Sequence, residues 1–461
     1  MLLAETSATR QLGEFATALR YEDLAQDVVA RLKACVLDAL GCCLYGVTLP
    51  WTRMLIDLVA EEGGNPIARV IGTPLRTGVS QAVLVGATAG HGFEMDDIHA
   101  AAHLHCGSLA LPVALAIADR QGGVDGRNLI AALAAGYEVG LRVGLAATGK
   151  LFMRGHHFQG ACGPFVAAAT AANLLALSPE AARHALGIAG SLGAGLMAAQ
   201  EGAMSKRLHS GRAAQAGVVA ADLAVRGFTG IPNVLEASYG GFLSTLSGEP
   251  EMAHLTRGLG RDWEIRKVGF KPYATAASVQ SVLFAIDGLM TENSLTASDI
   301  DRVLIHCSTM AHRHCAWPYE PAGVTAAQMN MFFATAMMII DRNAMLDQFR
   351  EDRLTDPAAL AMIERIAIAA DTKYDAGGDA TRHHARVELV ARDGRRLARE
   401  VLERPGSPGN PLSQEQLAKK FSTLAAAVLP HDRIPKIIAA VATLESTNAR
   451  TLTDLATTTS P

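Results

Sequence analysis

The chain has 461 residues and a formal net charge of −4, and its lysines and arginines are scattered rather than gathered into a stripe. That pattern argues against a nucleic-acid partner. Hydrophobic residues make up 49% and aromatic residues only 5%, so the apolar mass lies in small and aliphatic side chains that suit closely packed helices. At roughly 100 to 200 residues per domain, the length predicts two domains.

The N-terminal segment carries Glu5 and Arg10 and lacks an unbroken apolar stretch, so it does not read as a signal peptide. No apolar run reaches the roughly eighteen residues of a membrane span; the longest, 163–177, is interrupted by Asn173. A cytoplasmic protein without a membrane partner is the expectation. The seven cysteines form no Cys-x-x-Cys pair and are odd in number, so they are expected to be reduced, with Cys35, Cys42 and Cys43 buried in an apolar run.

From residue 9 to 46, apolar residues recur at three- and four-residue spacing (Val28, Val29, Leu32, Cys35, Val36, Ala39, Leu40), the pattern of packed amphipathic helices. Further helices are predicted over 109–119, 129–143, 163–177, 179–189 and 211–226. Ser178-Pro179-Glu180 supplies a cap, a first-turn proline and a carboxylate at the positive end of the helix dipole. After about Trp263 the texture changes. Segments 302–308 and 365–370 have strand composition, 385–391 and 395–401 read as two strands joined by an Asp393-Gly394 turn, and helices fall at 274–290 and 325–340. Beyond the proline-rich stretch 404–411, helical patterning returns over 413–428 and 434–444. The predicted fold is therefore mainly α: a large all-helical domain (1–265 and 404–461), with a smaller α+β lid domain (266–403) inserted before the C-terminal helices.

The chemistry is concentrated in three segments spaced about fifty residues apart: Glu94-Met95-Asp96-Asp97 leading to His103-Leu104-His105-Cys106-Gly107, then His156-His157, then Ser205-Lys206-Arg207-Leu208-His209-Ser210-Gly211. Such groups are costly to bury unless paired, and their recurrence suggests helices or loops converging on one polar acid/base pocket. Asp96 and His105 are its expected members, whereas His99 and Asp97 are expected to be solvated or to cap the next helix. One of His156 and His157 should face inward. Lys206 stands at a loop-to-helix junction in a basic segment that an organic acid could use, and Lys271-Pro272-Tyr273 opens the α+β unit in the same manner. His312-Arg313-His314-Cys315 reads as an exposed loop. A metal site built from the carboxylates and imidazoles of 94–105 is the competing reading, although no third ligand stands at a recognised interval.

Together these segments resemble the MmgE/PrpD family, which includes 2-methylcitrate dehydratases, cis-aconitate decarboxylases and iminodisuccinate epimerases. The likeness covers nearly the whole chain. Glu94 to Asp97 followed by His105-Cys106-Gly107 looks like the family's acidic run leading to His-Pro-Gly or His-Pro-Ser-Gly, and His157, six residues before Gly163, matches its second histidine. Ser205 to Gly211 is similar to its Thr-Lys-Pro-Leu-His-x-Gly segment, Phe270-Lys271-Pro272-Tyr273 to the lysine that opens the lid, and 406–411 with Lys420-Phe421 to the return into the helical domain. Cys106, Gln159 and Ala276 depart from the pattern; Ala276 stands where the decarboxylases have a lid histidine. The resemblance implies a homodimer working without cofactor or metal, with catalytic roles for Asp96, His105 and His157 and substrate-binding roles for Glu94, Lys206, Lys271 and Tyr319. The function read from the sequence is thus a lyase, dehydratase-like, that abstracts an α-proton from a small di- or tricarboxylic acid. An epimerase or decarboxylase on the same site is the nearest alternative. A metal-dependent hydrolase or metal-binding protein, and a non-catalytic binding protein, are the rivals from other classes.

Overall fold

The computed structural model describes residues 7–378 and 381–458; Glu5, one of the two charges that interrupt the N-terminal segment, lies outside the described residues. The first part of the chain builds a helical body from α1 (Ala8–Ala18), α2 (Gln26–Gly46), α3 (Pro50–Glu62), α4 (Val79–Gly90), α5 (Gly107–Arg120), α6 (Gly126–Met153), α7 (Phe158–Ala161), α8 (Gly163–Leu174), α9 (Pro179–Leu192), α10 (Ser205–Val225) and α11 (Phe242–Leu246). Helices α4, α5, α6, α8 and α10 pack on one another in its centre. Their small residues make that possible. A Cβ at Gly136 would stand 1.9 Å from Thr170 Oγ1, one at Gly140 2.1 Å from Val166 Cγ2, and one at Gly211 2.1 Å from Thr88 Oγ1, so the helix backbones approach where no side chain could fit.

By length and composition α6 could cross a membrane, but 94% of its most apolar window is buried inside the fold. It is a core helix carrying Glu138 and Arg142, both buried. The Arg142 guanidinium donates to the carbonyls of Arg257 (2.7 Å) and Asp262 (2.8 Å), tying down the chain that leaves the helical body.

Two short antiparallel pairs join the loops: β1 (Ala68–Arg69) with β2 (Arg76–Thr77), and β3 (Ile98–His99) with β4 (Val268–Gly269). The second pair lays the acidic segment against the chain leading to Lys271. The larger sheet contains β5 (Ile300–Cys307), β6 (Ile366–Ala370), β7 (Ala385–Ala391) and β8 (Arg396–Val401) in the order β6-β5-β7-β8; β5 is parallel to β6 and antiparallel to β7. The predicted hairpin of β7 and β8 forms, with Ala385 opposite Val401 and Gly394 at φ 91° in the turn. The burial of β7 alternates strictly, as one covered face requires, and α12 (Ala277–Glu292) packs on β7 and β8.

Around the sheet lie α13 (Thr309–Cys315), α14 (Val324–Met329), α15 (Met331–Asp341) and α16 (Pro357–Ile363). The single helix predicted over 325–340 is two helices. Asn330 takes an extended conformation between them (φ −91°, ψ 120°), and its side chain accepts from Phe333 N at 3.0 Å, because asparagine offers a cap in place of a continued helix. Helices α17 (Gln414–Ala425), α18 (Ile434–Ala442) and α19 (Ala449–Ala456) return to the helical body, α17 lying on α2.

The apolar side chains gather into two cores. One joins Leu12 through Phe270 to Leu417 through Ala456, and the other is built mainly of residues between Ala274 and Val401, with Leu49, Phe93 and Met95 inserted from the helical body. The chain passes into and out of the second core at neighbouring points, where Phe270 N donates to the Gly406 carbonyl at 2.8 Å. All seven cysteines are free and buried.

Candidate active site

A cavity lies where the two cores meet. On the helical side it is lined by Glu94, His103, His105, His157, Phe158 and Lys206, and on the other by Ala276, Ser278, His314, Met329, Arg382 and His383.

His105 precedes the start of α5, and its backbone is fixed by the amide of Gln159: Gln159 Oε1 accepts from His105 N (3.1 Å) while Gln159 Nε2 donates to the His105 carbonyl (3.0 Å). The ring is fixed as well. Its Nδ1 lies 2.7 Å from the Asp97 carbonyl and 3.2 Å from Asp96 Oδ1. A carbonyl only accepts, so Nδ1 carries a proton, which in the neutral ring leaves the lone pair on Nε2. Asp96 also accepts from His91 Nδ1 at 2.7 Å and from Lys271 Nζ at 3.2 Å. Burial opposes its charge, but His105, His91 and Lys271 together hold its carboxyl well below the usual range.

Glu94 is the counter-ion of three cations. Lys206 Nζ and Arg207 Nη1 both donate to its Oε1, and Lys271 Nζ stands 3.5 Å from Oε2. Against the effect of burial, these cations keep Glu94 ionised far below the usual carboxylate range. Lys206 is pushed down to about 8, because burial outweighs the attraction of Glu94. Arg207 reaches across to the second core, donating to Gln328 Oε1 at 2.9 Å, and Gln328 in turn donates to the Phe93 carbonyl at 2.9 Å.

His157 stands at the N-cap of α7. It is buried, as one of the His156-His157 pair was expected to be, while His156 is half-buried. Its Nδ1 lies 2.9 Å from His209 Nδ1. Burial, with Lys206 and the neighbouring imidazoles, holds it well below the ordinary histidine value, so the ring is neutral. The ring of His91 lies 5.8 Å from that of His157 and 5.0 Å from that of His105.

Of the residues singled out in the sequence, Glu94, Asp96, His105, His157, Lys206 and Lys271 therefore converge. Tyr319 does not join them: its hydroxyl donates to the Leu354 carbonyl at 2.9 Å and its ring stacks on Phe333 within the second core. His99 is not solvated. It is 2% exposed, accepts from Ala102 N at 3.0 Å and pairs with Glu264 at 3.3 Å. Asp97 does cap the next helix, accepting from Gly107 N (3.0 Å), but it is buried and also takes the Tyr137 hydroxyl at 2.7 Å; burial, with Asp38 and Asp96, raises it to about 7. Segment 312–315 is part of α13 rather than an exposed loop, and His314 faces the cavity with burial pushing it down to about 3.

Sequence reasoning missed His91, Gln159 as a clamp, Arg207, His209, Arg382 and His383. His91 lies between two glycines just ahead of the acidic run, and Arg207 and His209 sit beside the lysine that was chosen; proximity to the motifs was the available signal. Arg382 and His383 lie far from any of them. Lys420 is another anchor of the site. It donates to Asp38 Oδ1 at 2.6 Å and to the Met95 carbonyl, fixing the acidic loop from α17.

Among the described residues, His91, Asp96 and His105 offer ligand atoms within 4.8 Å of one another. They fit a metal ion poorly. The Lys271 ammonium already occupies Asp96 Oδ1 and the His91 ring Asp96 Oδ2, so an ion at this carboxylate would face a fixed cation and a nitrogen already turned toward the oxygen it needs. The arrangement is suited instead to holding one imidazole ready to accept a proton, beside cations that attract carboxylates.

Comparison with known proteins agrees with this geometry. The MmgE/PrpD N-terminal domain matches residues 10–254 and the MmgE/PrpD C-terminal domain residues 273–446. The chain is 30% identical over 454 residues to a cis-aconitate decarboxylase of Aspergillus terreus, covering 94% of this chain and 92% of that protein. It is 30% identical over 464 residues to the cis-aconitate decarboxylase-like protein oryM of Aspergillus oryzae (96% and 95% covered), and 27% identical over 449 residues to the cis-aconitate decarboxylase of Homo sapiens (94% and 91%). With both domains matched and relatives aligned end to end, the chain belongs to the MmgE/PrpD family.

Proposed function

We propose that the protein is a cofactor-independent lyase for a small di- or tricarboxylic acid, with the α+β unit acting as a lid over the helical domain and two copies forming a homodimer. The observation that carries this reading is the charge balance of the cluster at and behind the cavity wall, of which Glu94 and Lys206 line the cavity itself. Three cations, Lys206, Arg207 and Lys271, face two carboxylates, Glu94 and Asp96, across hydrogen-bond distances, leaving an excess positive charge beside two neutral-capable imidazoles. Such a wall favours an anionic substrate and stabilises negative charge that develops on it.

In a dehydration, His105 takes the α-proton at Nε2, the electron pair remains on the substrate, and the hydroxyl leaves as His157 protonates it; Asp96 stabilises the imidazolium formed at His105. In a decarboxylation, carbon dioxide leaves with the bond's electron pair retained on the substrate carbon framework, and His157 supplies the proton that quenches it. The relatives named for cis-aconitate decarboxylation favour the second outcome. Ala276, a buried methyl on the cavity wall where the family resemblance places a histidine of the decarboxylases, favours the first.

Incubating the purified protein with cis-aconitate, citrate and 2-methylcitrate, with carbon dioxide trapping and proton NMR of the products, tests the reading. A new unsaturated acid with carbon dioxide identifies a decarboxylase, and one without it a dehydratase. Deuterium exchange at an α-carbon with no new double bond would instead indicate an epimerase. No reaction or exchange with any carboxylate in the panel would overturn the proposal.

A further inference from the structure

The cavity is separated from an outer groove by a wall that two histidines cross together. His157 lines the cavity and His209 does not; His209 lines the groove, with Leu192, Leu196, Leu208 and Arg212, and His157 does not. The two rings touch through Nδ1 atoms 2.9 Å apart, with centroids 5.1 Å apart. The groove is on the surface, where Leu196 is 65% exposed and Leu208 37%. No side chain intervenes on the backbone shelf beneath the pair: Gly195 accepts from His157 N at 3.0 Å through its carbonyl, and a Cβ placed on it would stand 3.2 Å from His209 Nδ1 and 3.3 Å from His157 Cβ.

We propose that His157 and His209 form a proton relay that carries protons between bulk water and the closed cavity. This rests on the reading of His157 as the proton donor of the lyase reaction. Two facing Nδ1 atoms at this distance share one hydrogen, one ring donating and the other accepting. In the starting tautomers His209 carries its proton on Nδ1 and His157 carries its own on Nε2. As His157 gives the Nε2 proton to the substrate, the Nδ1 proton of His209 moves to the lone pair of His157 Nδ1, and water in the groove protonates His209 Nε2. One N–H bond breaks and one forms on each ring, and a single proton has entered the cavity with no net change in charge on either imidazole. The reverse shift expels a proton. Neutral rings are what such an exchange requires, and both histidines are held below their ordinary value by burial and by Lys206. The acid at His157 Nε2 is reloaded by the reverse shift, when that nitrogen takes up the proton left in the cavity and His209 Nε2 releases one to the groove, so the cavity need not open to water, which a site that stabilises a carbanion needs.

The test compares His209→Ala with His157→Ala in the full-length protein, each in a single turnover and in the steady state. For His209→Ala the relay predicts a slowed first turnover, because neutral His157 cannot release its Nε2 proton without taking one at Nδ1. The first and all subsequent turnovers should be at least about tenfold slower, at the low end of what a proton-transferring group contributes, with KM within twofold. Added imidazole, entering the space left on the groove side, should restore the steady-state rate. His209→Gln, which keeps a hydrogen-bonding side chain but cannot relay, should behave in the same way without rescue and serves where the alanine variant does not fold. If His157→Ala is inactive while His209→Ala turns over like the wild type, or if imidazole fails to rescue a first turnover that is itself slowed, the relay is overturned and the donor role of His157 survives. Full activity in His157→Ala would instead remove the reading on which the relay rests.

Discussion

Lys206 should set an alkaline limit on substrate binding near pH 8 rather than in the ordinary lysine range. Burial brings its ammonium down to about 8 despite the Glu94 carboxylate beside it. Only the charged form attracts a substrate carboxylate, so affinity is full below about 8 and falls as the pH rises through it, by about tenfold, or 1.4 kcal/mol, per pH unit. The fall cannot exceed what the contact contributes. A hydrogen bond to a charged group is worth roughly 1.5–3 kcal/mol, so the decline should level off within one to two pH units, where the affinity meets that of Lys206→Met. Calorimetric titration of a dicarboxylate inhibitor from pH 6 to 10 checks both statements together. The Lys206→Met variant should bind roughly 10- to 150-fold more weakly at pH 7 and lose the step near pH 8. The reasoning is refuted if the variant retains the same step, or if the wild-type affinity is level through pH 9.

At the two imidazoles, His105→Ala and His157→Ala should each lower turnover by about 10²- to 10⁴-fold with little change in melting temperature, whereas His99→Ala, which breaks the pairing with Glu264, should act on stability and leave turnover within a few fold. Gln159→Leu should reduce both, since it strips the hydrogen bonds from the His105 backbone and from Ser108 and Ser210; thermal unfolding should show a loss of roughly 1–3 kcal/mol for each group left unpaired. Lys420→Met isolates the buried Asp38 carboxylate and should destabilise by about 3–5 kcal/mol, while the double variant with Asp38→Leu should recover most of that in denaturant titrations. Activity should persist after exhaustive chelation, with metal analysis of the purified protein as the check; loss of activity restored by one metal ion would instead support a ligand role for His91, Asp96 and His105.

The helical texture and the hairpin were legible because they rest on local periodicity and turn chemistry, which are the same in a short window as in the whole fold. Asn330 shows the limit of that reading. The run 325–340 is apolar but for Thr325, Gln328, Asn330 and Thr335, so its periodicity is uninformative, and one capping side chain divides it. At α6 apolar length is ambiguous for a related reason, since it is shared by a bilayer span and a helix packed on all sides in a core. At the site, residues carried by dense polar motifs were found. Those contributed singly from distant positions were not: Arg382 and His383 reach the cavity through the return of β7, and nothing in their own neighbourhood announces it. His99 was misjudged because its partner, Glu264, lies 165 positions away, and a histidine without its partner in view resembles a solvated one.

The loop from Glu94 to His103 explains why three nearby carboxylates do different work. Both of its ends are held in left-handed backbone conformations, Glu94 at φ 56° and His103 at φ 55°, which cost of order 1–3 kcal/mol each and persist only where the surroundings over-determine them. The surroundings do so here. Lys420 holds the Met95 carbonyl, β3 is paired with β4, and Asp97 is bound by Gly107 N and Tyr137. With the backbone so fixed, Glu94 is turned toward the cations, Asp96 toward His91 and His105, and Asp97 toward the start of α5. Their ionisation follows from those directions: the first two are held well below the carboxylate range by positive neighbours, whereas the third, facing a hydroxyl and an amide but no cation, is raised to about 7 by burial. A relaxed loop would lose this division, because a carboxylate that moved by one peptide would trade a cation for a phenol. The strain at Glu94 and His103 is thus the means by which one short acidic segment supplies a counter-ion for Lys206, Arg207 and Lys271, a carboxylate that orients His91 and His105, and a neutral-capable cap.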